Sequence, residues 1–178
     1  MTNAELAILT LVAEQPRHGY QIEQVIEQRG MREWTEVGFS SIYYLLKKLE
    51  KEEMIEGKIE EAERGLARKV YRVTQAGMEA LHTAMIEALS EPQPRYSSLS
   101  LGLGNLPAIP SDEAIGALNQ YRHNLASRLK NVRGRWKAQQ PLPYFVNAQF
   151  NYSITMLTAE LMWVEKFTGQ MEVYHEQD

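Results

Sequence analysis

The sequence contains no cysteine among its 178 residues, which excludes disulfide frameworks, thiolate metal sites and cysteine nucleophiles. Histidine is scarce: the four are His18, His82, His123 and His175, and none stands beside another ligand at metal-binding spacing. There is no glycine-rich phosphate loop and no Gly-x-Ser-x-Gly elbow. These absences argue against an enzyme, and we expect neither a cofactor nor a metal.

Long apolar runs are also missing, since no segment approaches 18 unbroken apolar residues. The first fifteen residues lack a basic region and are interrupted by acid and glutamine, unlike a signal peptide. Hydrophobic residues make up 44% and charged residues 24%, which is ordinary for a soluble globular protein. We therefore expect a cytoplasmic protein that does not enter a membrane.

Excess positive charge is absent as well, because the formal net charge is −4. Residues 1–90 hold 11 Lys+Arg against 15 Asp+Glu, and residues 91–178 hold 8 of each. The chain as a whole carries no basic footprint of the kind that nucleic-acid-binding proteins show. Any contact with nucleic acid must then come from local clusters of cations.

The first half of the chain begins with three helical patterns. Thr2 or Asn3 is placed to cap a first helix that runs to about Gln15. A second helix is predicted over 20–29, with Gly30 as the residue that closes it. The third helix is predicted over 39–55, and its apolar residues form one buried stripe, Ile42, Leu45, Leu46 and Leu49.

The other face of the third helix is unusual for a surface helix. It carries Ser40, Tyr44, Lys47 and Lys51, flanked by Ser41, Tyr43 and Lys48. Hydroxyls come first, then phenols, then lysines, an order that suits a helix entering the major groove and reaching phosphates. The alternative is a plain solvated face whose serines only cap the helix.

After Met54 the period changes from that of a helix to that of strands. Residues 55–60 and 69–74 alternate apolar with polar side chains, and Gly65 lies at the turn between them. The hairpin tip carries Arg64, Arg68 and Lys69, and Thr74 caps a fourth helix over 75–90. Three helices, a hairpin and a helix form the order of a winged helix-turn-helix, a mainly α fold with a small β-hairpin.

Three runs carry a resemblance to a known family: RHGYQIEQVIEQRG at 17–30, SSIYYLLKKLEKEEMIEGKIE at 40–60 and RKVYRVTQAGMEAL at 68–81. They resemble the N-terminal domain of PadR-type transcriptional regulators. The resemblance implies that Tyr20, Ser41, Tyr43 and Lys47 lie near DNA, together with the wing around 64–69. The chain departs from the family at Glu53, where glycine is usual and a left-handed cap is expected.

From these arguments we predict a DNA-contacting set. Its members are Tyr20, Ser40, Ser41, Tyr43, Tyr44, Lys47, Lys48, Lys51, Arg64, Arg68 and Lys69. Tyr20 and Tyr43 have a structural alternative, because each could pack between helices instead of facing DNA.

The second half begins with a stretch rich in proline, glycine and serine, residues 91–111, which we interpret as a linker or irregular segment. Two long helices follow, over about 111–139 and 144–171, separated by Pro141 and Pro143. The sequence thus predicts a DNA-binding domain at 1–90, a linker at 91–111 and an antiparallel helical domain at 112–178.

The last helix has two apolar stripes, whereas packing against one neighbour requires only one. We assign the stripe with coiled-coil spacing to dimerisation, namely Phe150, Ile154, Leu157, Leu161 and Val164. The family resemblance implies the same role for this region. A dimer would present two recognition helices to a roughly palindromic operator.

Several aromatic and thioether side chains in this half are candidates for the lining of a small-molecule pocket: Tyr96, Trp136, Tyr152, Met156 and Trp163. The resemblance implies a small aromatic effector, and dimer core is the alternative role for these residues. The function predicted is a dimeric transcriptional repressor with double-stranded DNA and itself as partners. A winged-helix protein–protein adaptor without DNA binding is the alternative.

Overall fold

The computed structural model describes residues 1–33, 35, 38, 41–61, 67–94 and 97–175. Its helices are α1 (Asn3–Glu14), α2 (Gly19–Gln28), α3 (Ser41–Lys51), α4 (Gln75–Ser90), α5 (Ser98–Gly104), α6 (Ser111–Ala138) and α7 (Tyr144–His175), with short 3₁₀ turns at Met31–Glu33 and Leu106–Ala108. Its strands are β1 (Arg17–His18), β2 (Ile55–Glu61) and β3 (Ala67–Val73), in the order β1-β3-β2. The winged-helix order predicted from the sequence is confirmed. None of the helices in the described ranges is long and apolar enough to cross a membrane.

The chain divides into two compact units, Met1–Pro94 and Arg95–Asp178. In the first unit, α1, α2 and α3 bury one apolar cluster against Ile55 of β2 and Tyr71 of β3. The stripe predicted on α3 forms part of this core, because Ile42, Leu46 and Leu49 are almost fully buried. The hydrophobic effect of this cluster fixes which face of α3 remains outside.

Strand β1 is a two-residue element that the sequence did not reveal. Arg17 lies opposite Tyr71, and His18 lies opposite Val70, so β1 extends the hairpin by a third, antiparallel strand. Arg17 is buried, where it donates to the Leu11 carbonyl oxygen and, over 2.9 Å, to Glu14 Oε2. Because side chains alternate along a strand and Arg17 points inward, His18 points to the opposite side.

The third helix ends at Lys51, four residues before the end predicted from its apolar pattern, and the predicted start at Phe39 and Ser40 lies outside the described residues. Glu53 takes the left-handed conformation with φ of 57°. Its N–H donates to the Glu50 carbonyl over 3.0 Å, and the Met54 N–H donates to the Leu49 carbonyl over 2.9 Å. These two bonds form a Schellman motif with glutamate where glycine is favoured.

Replacing Glu53 with glycine should therefore stabilise the protein. A non-glycine residue in the left-handed region costs about 1 kcal/mol, so Glu53→Gly should raise the free energy of unfolding by about that amount. Denaturant unfolding of the two proteins measures the difference. Glu52→Gly is the matched control: it removes the same charge one residue earlier, where φ is not positive, and should destabilise slightly.

In the second unit, α6 and α7 pack side by side around a second apolar cluster. The predicted linker contains a helix, since α5 lies within it, with Ser97 as its cap and Leu99 packed on this cluster. The linker prediction is wrong for that stretch. Proline and glycine content alone did not reveal that Leu99 has an apolar surface to cover.

The stripe that we assigned to dimerisation packs inside the chain instead. Leu157 and Val164 are buried against α6, and the other three, Phe150, Ile154 and Leu161, are half-buried against the same cluster. That assignment is wrong, because α6 already covers this face. The second stripe of α7 is the open one, with Phe145 61%, Tyr152 54% and Trp163 43% exposed.

Candidate nucleic-acid interface

The outer face of α3 presents phenols and cations to solvent. Tyr43 is 59% and Tyr44 68% exposed, and Lys47 and Lys51 are exposed behind them. Neither lysine forms an ion pair with any residue that the structure describes. Their ammonium groups are therefore available to an external anion such as a phosphate.

Ser41 opens α3 and is bonded locally. Its Oγ donates to the Gly38 carbonyl oxygen over 2.6 Å, which leaves the lone pairs of the hydroxyl available as acceptors. Ser40, the other candidate hydroxyl, lies outside the described residues.

Lys48 points away from this face, toward the start of α1. It forms an ion pair with Glu5, a carboxylate that is 5% exposed, and approaches Glu52 within 3.8 Å. Burial alone would raise the pKa of Glu5, but hydrogen bonds from Lys48 and from the Thr2 backbone hold it below its usual value. Lys48 serves as the counter-ion of a buried acid, and we remove it from the candidate DNA contacts.

A cleft of about 300 Å³ lies where the start of α2 meets α3 and β3. Its lining brings together four residues of the predicted set, Tyr20, Tyr43, Arg68 and Lys69, and adds His18, Gly19 and Tyr71. Gly19 leaves room for the ring of Tyr43, because a Cβ there would lie 2.6 Å from Tyr43 Cε1.

The cations of the cleft differ in how they are held. Lys69 donates to Glu50 Oε2 over 2.7 Å, and this hydrogen bond raises the pKa of the lysine. Glu50 Oε1 accepts from the Gly57 N–H over 3.2 Å, so one carboxylate of α3 joins both strands of the hairpin. Arg68 has no carboxylate partner among the described residues, and its Nη1 lies 3.2 Å from His18 Nε2.

Two acids of the hairpin are neutralised by their neighbours. Glu60 pairs with Arg72 at 2.7 Å, and Glu56 pairs with Lys58 at 3.1 Å. The net negative charge of this unit therefore does not exclude a positive patch formed by Lys47, Lys51 and Arg68. Arg64, at the predicted wing tip, lies outside the described residues.

Sequence reasoning missed His18 and Tyr71. One signal for His18 was present: His18-x-x-Gln21 has the spacing of a capping box, with histidine in place of serine or threonine. Tyr71 is 9% exposed and follows the alternation of β3, so no feature of the sequence set it apart from a core residue.

The four described residues that were predicted to line an effector pocket do not form one cluster within the chain. Trp136 Nε1 donates to Asn147 Oδ1 over 2.8 Å near the turn between α6 and α7. Tyr152 and Trp163 are exposed on α7 and eleven residues apart, about 16 Å along a helix. Met156 belongs to the same exposed stripe, and Tyr96 lies outside the described residues.

Comparison with known proteins finds one family model that matches within the first unit. Residues 8–83 match the model of the transcriptional regulator PadR-like family. An uncharacterised protein of Lysinibacillus sphaericus is 36% identical over 70 residues, which are 39% of this chain and 63% of that protein. The chain therefore spans less than two thirds of that curated relative.

Solved structures extend the likeness in fold to most of the chain. Bacillus subtilis PadR in complex with operator DNA superposes with a TM-score of 0.76 at 20% identity, covering 94% of this chain and 98% of that one. The complex of the same protein with p-coumaric acid gives a TM-score of 0.73, again at 20% identity and with the same coverage. A PadR-like regulator of Bacillus cereus gives 0.70 at 16% identity, covering 96% and 99%.

Proposed function

We propose that this chain, whose residues 8–83 match the model of the PadR-like family of transcriptional regulators, is a dimeric, sequence-specific DNA-binding repressor of the cytoplasm. The observation that carries the proposal is the outer face of α3. Its exposed phenols and unpaired lysines adjoin a cleft with Arg68 at its edge. A helix of this kind places hydroxyl groups at base edges and ammonium groups at phosphates.

The second unit supports the proposed dimer. An exposed stripe of aromatic and thioether side chains on α7, Phe145, Tyr152, Met156 and Trp163, leaves apolar surface that a second copy would cover. Two recognition helices related by a two-fold axis would meet half-sites about 34 Å apart, so the operator should be close to palindromic. The structure of Bacillus subtilis PadR with p-coumaric acid supports a small aromatic effector for this chain. Release of the DNA by such an effector is part of our proposal.

A gel shift on the DNA upstream of the protein's own gene tests this function. Specific binding predicts a sharp shift that survives competitor DNA near physiological salt, and footprinting would then give the spacing of the half-sites. Adding p-coumaric acid tests for release. If a genome-wide selection of bound fragments returns nothing, the DNA-binding proposal fails and an adaptor function takes its place.

Replacing Lys47 with alanine should weaken DNA binding without weakening the fold. The lysine is exposed and has no partner among the described residues, so its removal deletes one phosphate contact per protomer. Each contact contributes about 0.9 to the slope of log K against log salt, so a dimer should lose about 2 in slope. Titrations at several salt concentrations measure it.

Lys48→Ala is the matched control, because the two lysines are neighbours in sequence with different surroundings. Losing Lys48 leaves the buried carboxylate of Glu5 without its counter-ion, which destabilises the fold. Thermal unfolding should therefore change for Lys48→Ala, and the salt slope should change for Lys47→Ala. If instead Lys47→Ala changed thermal unfolding and Lys48→Ala changed the salt slope, the assignment of Lys47 as the DNA contact would be wrong.

A further inference from the structure

His18 is held at both of its ring nitrogens by groups on different elements. It is the N-cap of α2: Nδ1 accepts from the Gln21 N–H over 3.3 Å, and Gln21 Oε1 accepts from the His18 N–H over 3.1 Å. The other ring nitrogen, Nε2, lies 3.2 Å from Nη1 of Arg68 on β3. Both nitrogens therefore face nitrogen-bound hydrogens.

A neutral imidazole cannot accept at both nitrogens, since one of them carries a hydrogen. The Gln21 N–H is fixed by the helix start and by the reciprocal bond, so Nδ1 is the acceptor and Nε2 carries the hydrogen. A guanidinium has donors only. Nε2–H and Arg68 are thus two donors side by side, and an oxygen acceptor between them would satisfy both.

His18 is held in its neutral form by its surroundings. Burial lowers the pKa of the imidazole, and repulsion by the Arg68 guanidinium lowers it further. The pair therefore presents one neutral and one charged donor to the same point.

The rest of the cleft is suited to an oxyanion. Its remaining polar groups are the phenols of Tyr20, Tyr43 and Tyr71 and the ammonium of Lys69, and none of the described residues that line it carries a carboxylate. Glu50, the acid that accepts from Lys69, is also engaged by the Gly57 N–H. A volume of about 300 Å³ accommodates a phosphate group.

We propose that this cleft binds one phosphate of the DNA backbone, whose oxygen accepts hydrogen bonds from both His18 Nε2–H and the Arg68 guanidinium. The inference rests on the proposed function and adds a contact residue, His18, which ends β1 and caps α2. Together with Tyr20, His18 would place the start of α2 among the elements that touch DNA, beside α3 and the hairpin.

The substitution His18→Asn separates this role from capping. Asparagine is among the preferred N-cap residues, and its Oδ1 replaces Nδ1 as the acceptor for Gln21, while nothing replaces Nε2. We expect unchanged thermal unfolding and an affinity for operator DNA about 3- to 10-fold lower, the range of one hydrogen bond. The salt slope should stay unchanged, because no charge is lost, whereas Arg68→Ala should lower it.

His82→Asn provides the control for the chemical change itself. His82 is exposed on α4 and takes no part in the cleft, so its replacement should alter neither unfolding nor DNA affinity. Equal DNA affinity of His18→Asn and the unmodified protein would overturn the proposal.

Nitrogen NMR of the His18 ring gives a readout that does not need DNA. The free protein should show hydrogen on Nε2 and none on Nδ1, and titration with inorganic phosphate should shift the Nε2 signal. Hydrogen on Nδ1 would overturn the proposal. If the protein binds no DNA but phosphate still shifts the Nε2 signal, both the proposed function and the assignment of DNA as the ligand of the cleft are overturned. If DNA binds but the His18 signal responds to neither DNA nor phosphate, the proposed phosphate site at His18 is overturned while the proposed function stands.

Discussion

Replacing Gly77 with alanine should lower the free energy of unfolding of the N-terminal unit by about 3 kcal/mol or more. Gly77 lies in the first turn of α4, where alanine is normally the better helix former. A Cβ at this position, however, would lie 1.9 Å from the Met54 carbonyl oxygen and 3.0 Å from Val73 Cγ2. The clash therefore decides the sign of the effect.

The Met54 carbonyl cannot easily yield. Its oxygen accepts from the Thr74 N–H over 3.1 Å and from Thr74 Oγ1 over 3.2 Å, and the Met54 N–H closes the Schellman motif of α3. An ordinary contact would require α4 and this carbonyl to separate by about 1.5 Å. That separation would break the Thr74 cap, which also holds the Gly77 N–H over 3.0 Å.

Gly116→Ala is the matched control, since Gly116 lies on α6 with open space where a Cβ would be placed. It should gain helix propensity and stabilise its unit by about 0.5–1 kcal/mol. Calorimetry, with hydrogen exchange to locate the change, measures both variants. An equal or higher unfolding temperature for Gly77→Ala would show that the junction of α4 with β2 can relax.

Replacing Trp163 with glutamate should prevent dimerisation and weaken binding to a palindromic operator by about 100-fold or more, the usual gain from linking two sites. Trp163 is 43% exposed on the open stripe of α7 and stacks on Phe167, with ring centroids 5.1 Å apart. In a two-fold dimer the substitution places two carboxylates in one apolar interface. Sedimentation at micromolar concentration measures the oligomeric state.

Asn151→Glu adds the same charge to an exposed position on the flank of α7, about 100° from Tyr152 around the helix. It should leave both the dimer and DNA binding intact. A monomeric Trp163→Glu protein with full operator affinity would refute the requirement for a dimer. A Trp163→Glu protein that is still dimeric would show that the dimer interface lies elsewhere.

The features that depend on the local pattern of apolar and polar residues could be predicted from the sequence. The apolar stripe of α3, the two strands of the hairpin and the Thr74 cap follow from local patterns, and the structure confirms them. The left-handed position at Glu53 was implied by the family resemblance, and the chain adopts that conformation although glutamate stands where glycine is usual.

What the sequence could not show depends on partners distant in the chain. Lys47 and Lys48 are adjacent and chemically identical, and only the position of Glu5 on another helix distinguishes them. The two stripes of α7 are both apolar, and which one is internal depends on where α6 packs. His18 was overlooked because its neighbour in space, Arg68, is fifty residues away.

The carboxylate of Glu50 has a consequence for the thermodynamics of binding. It holds Lys69 of β3 and the Gly57 N–H of β2, so the base of the hairpin is bonded to α3 before any ligand arrives. Groups that are already ordered in the free protein lose little conformational entropy on association. The base of the hairpin and α3 would then engage DNA as one preorganised surface, and the entropic cost of binding would fall mainly on the DNA and its counterions.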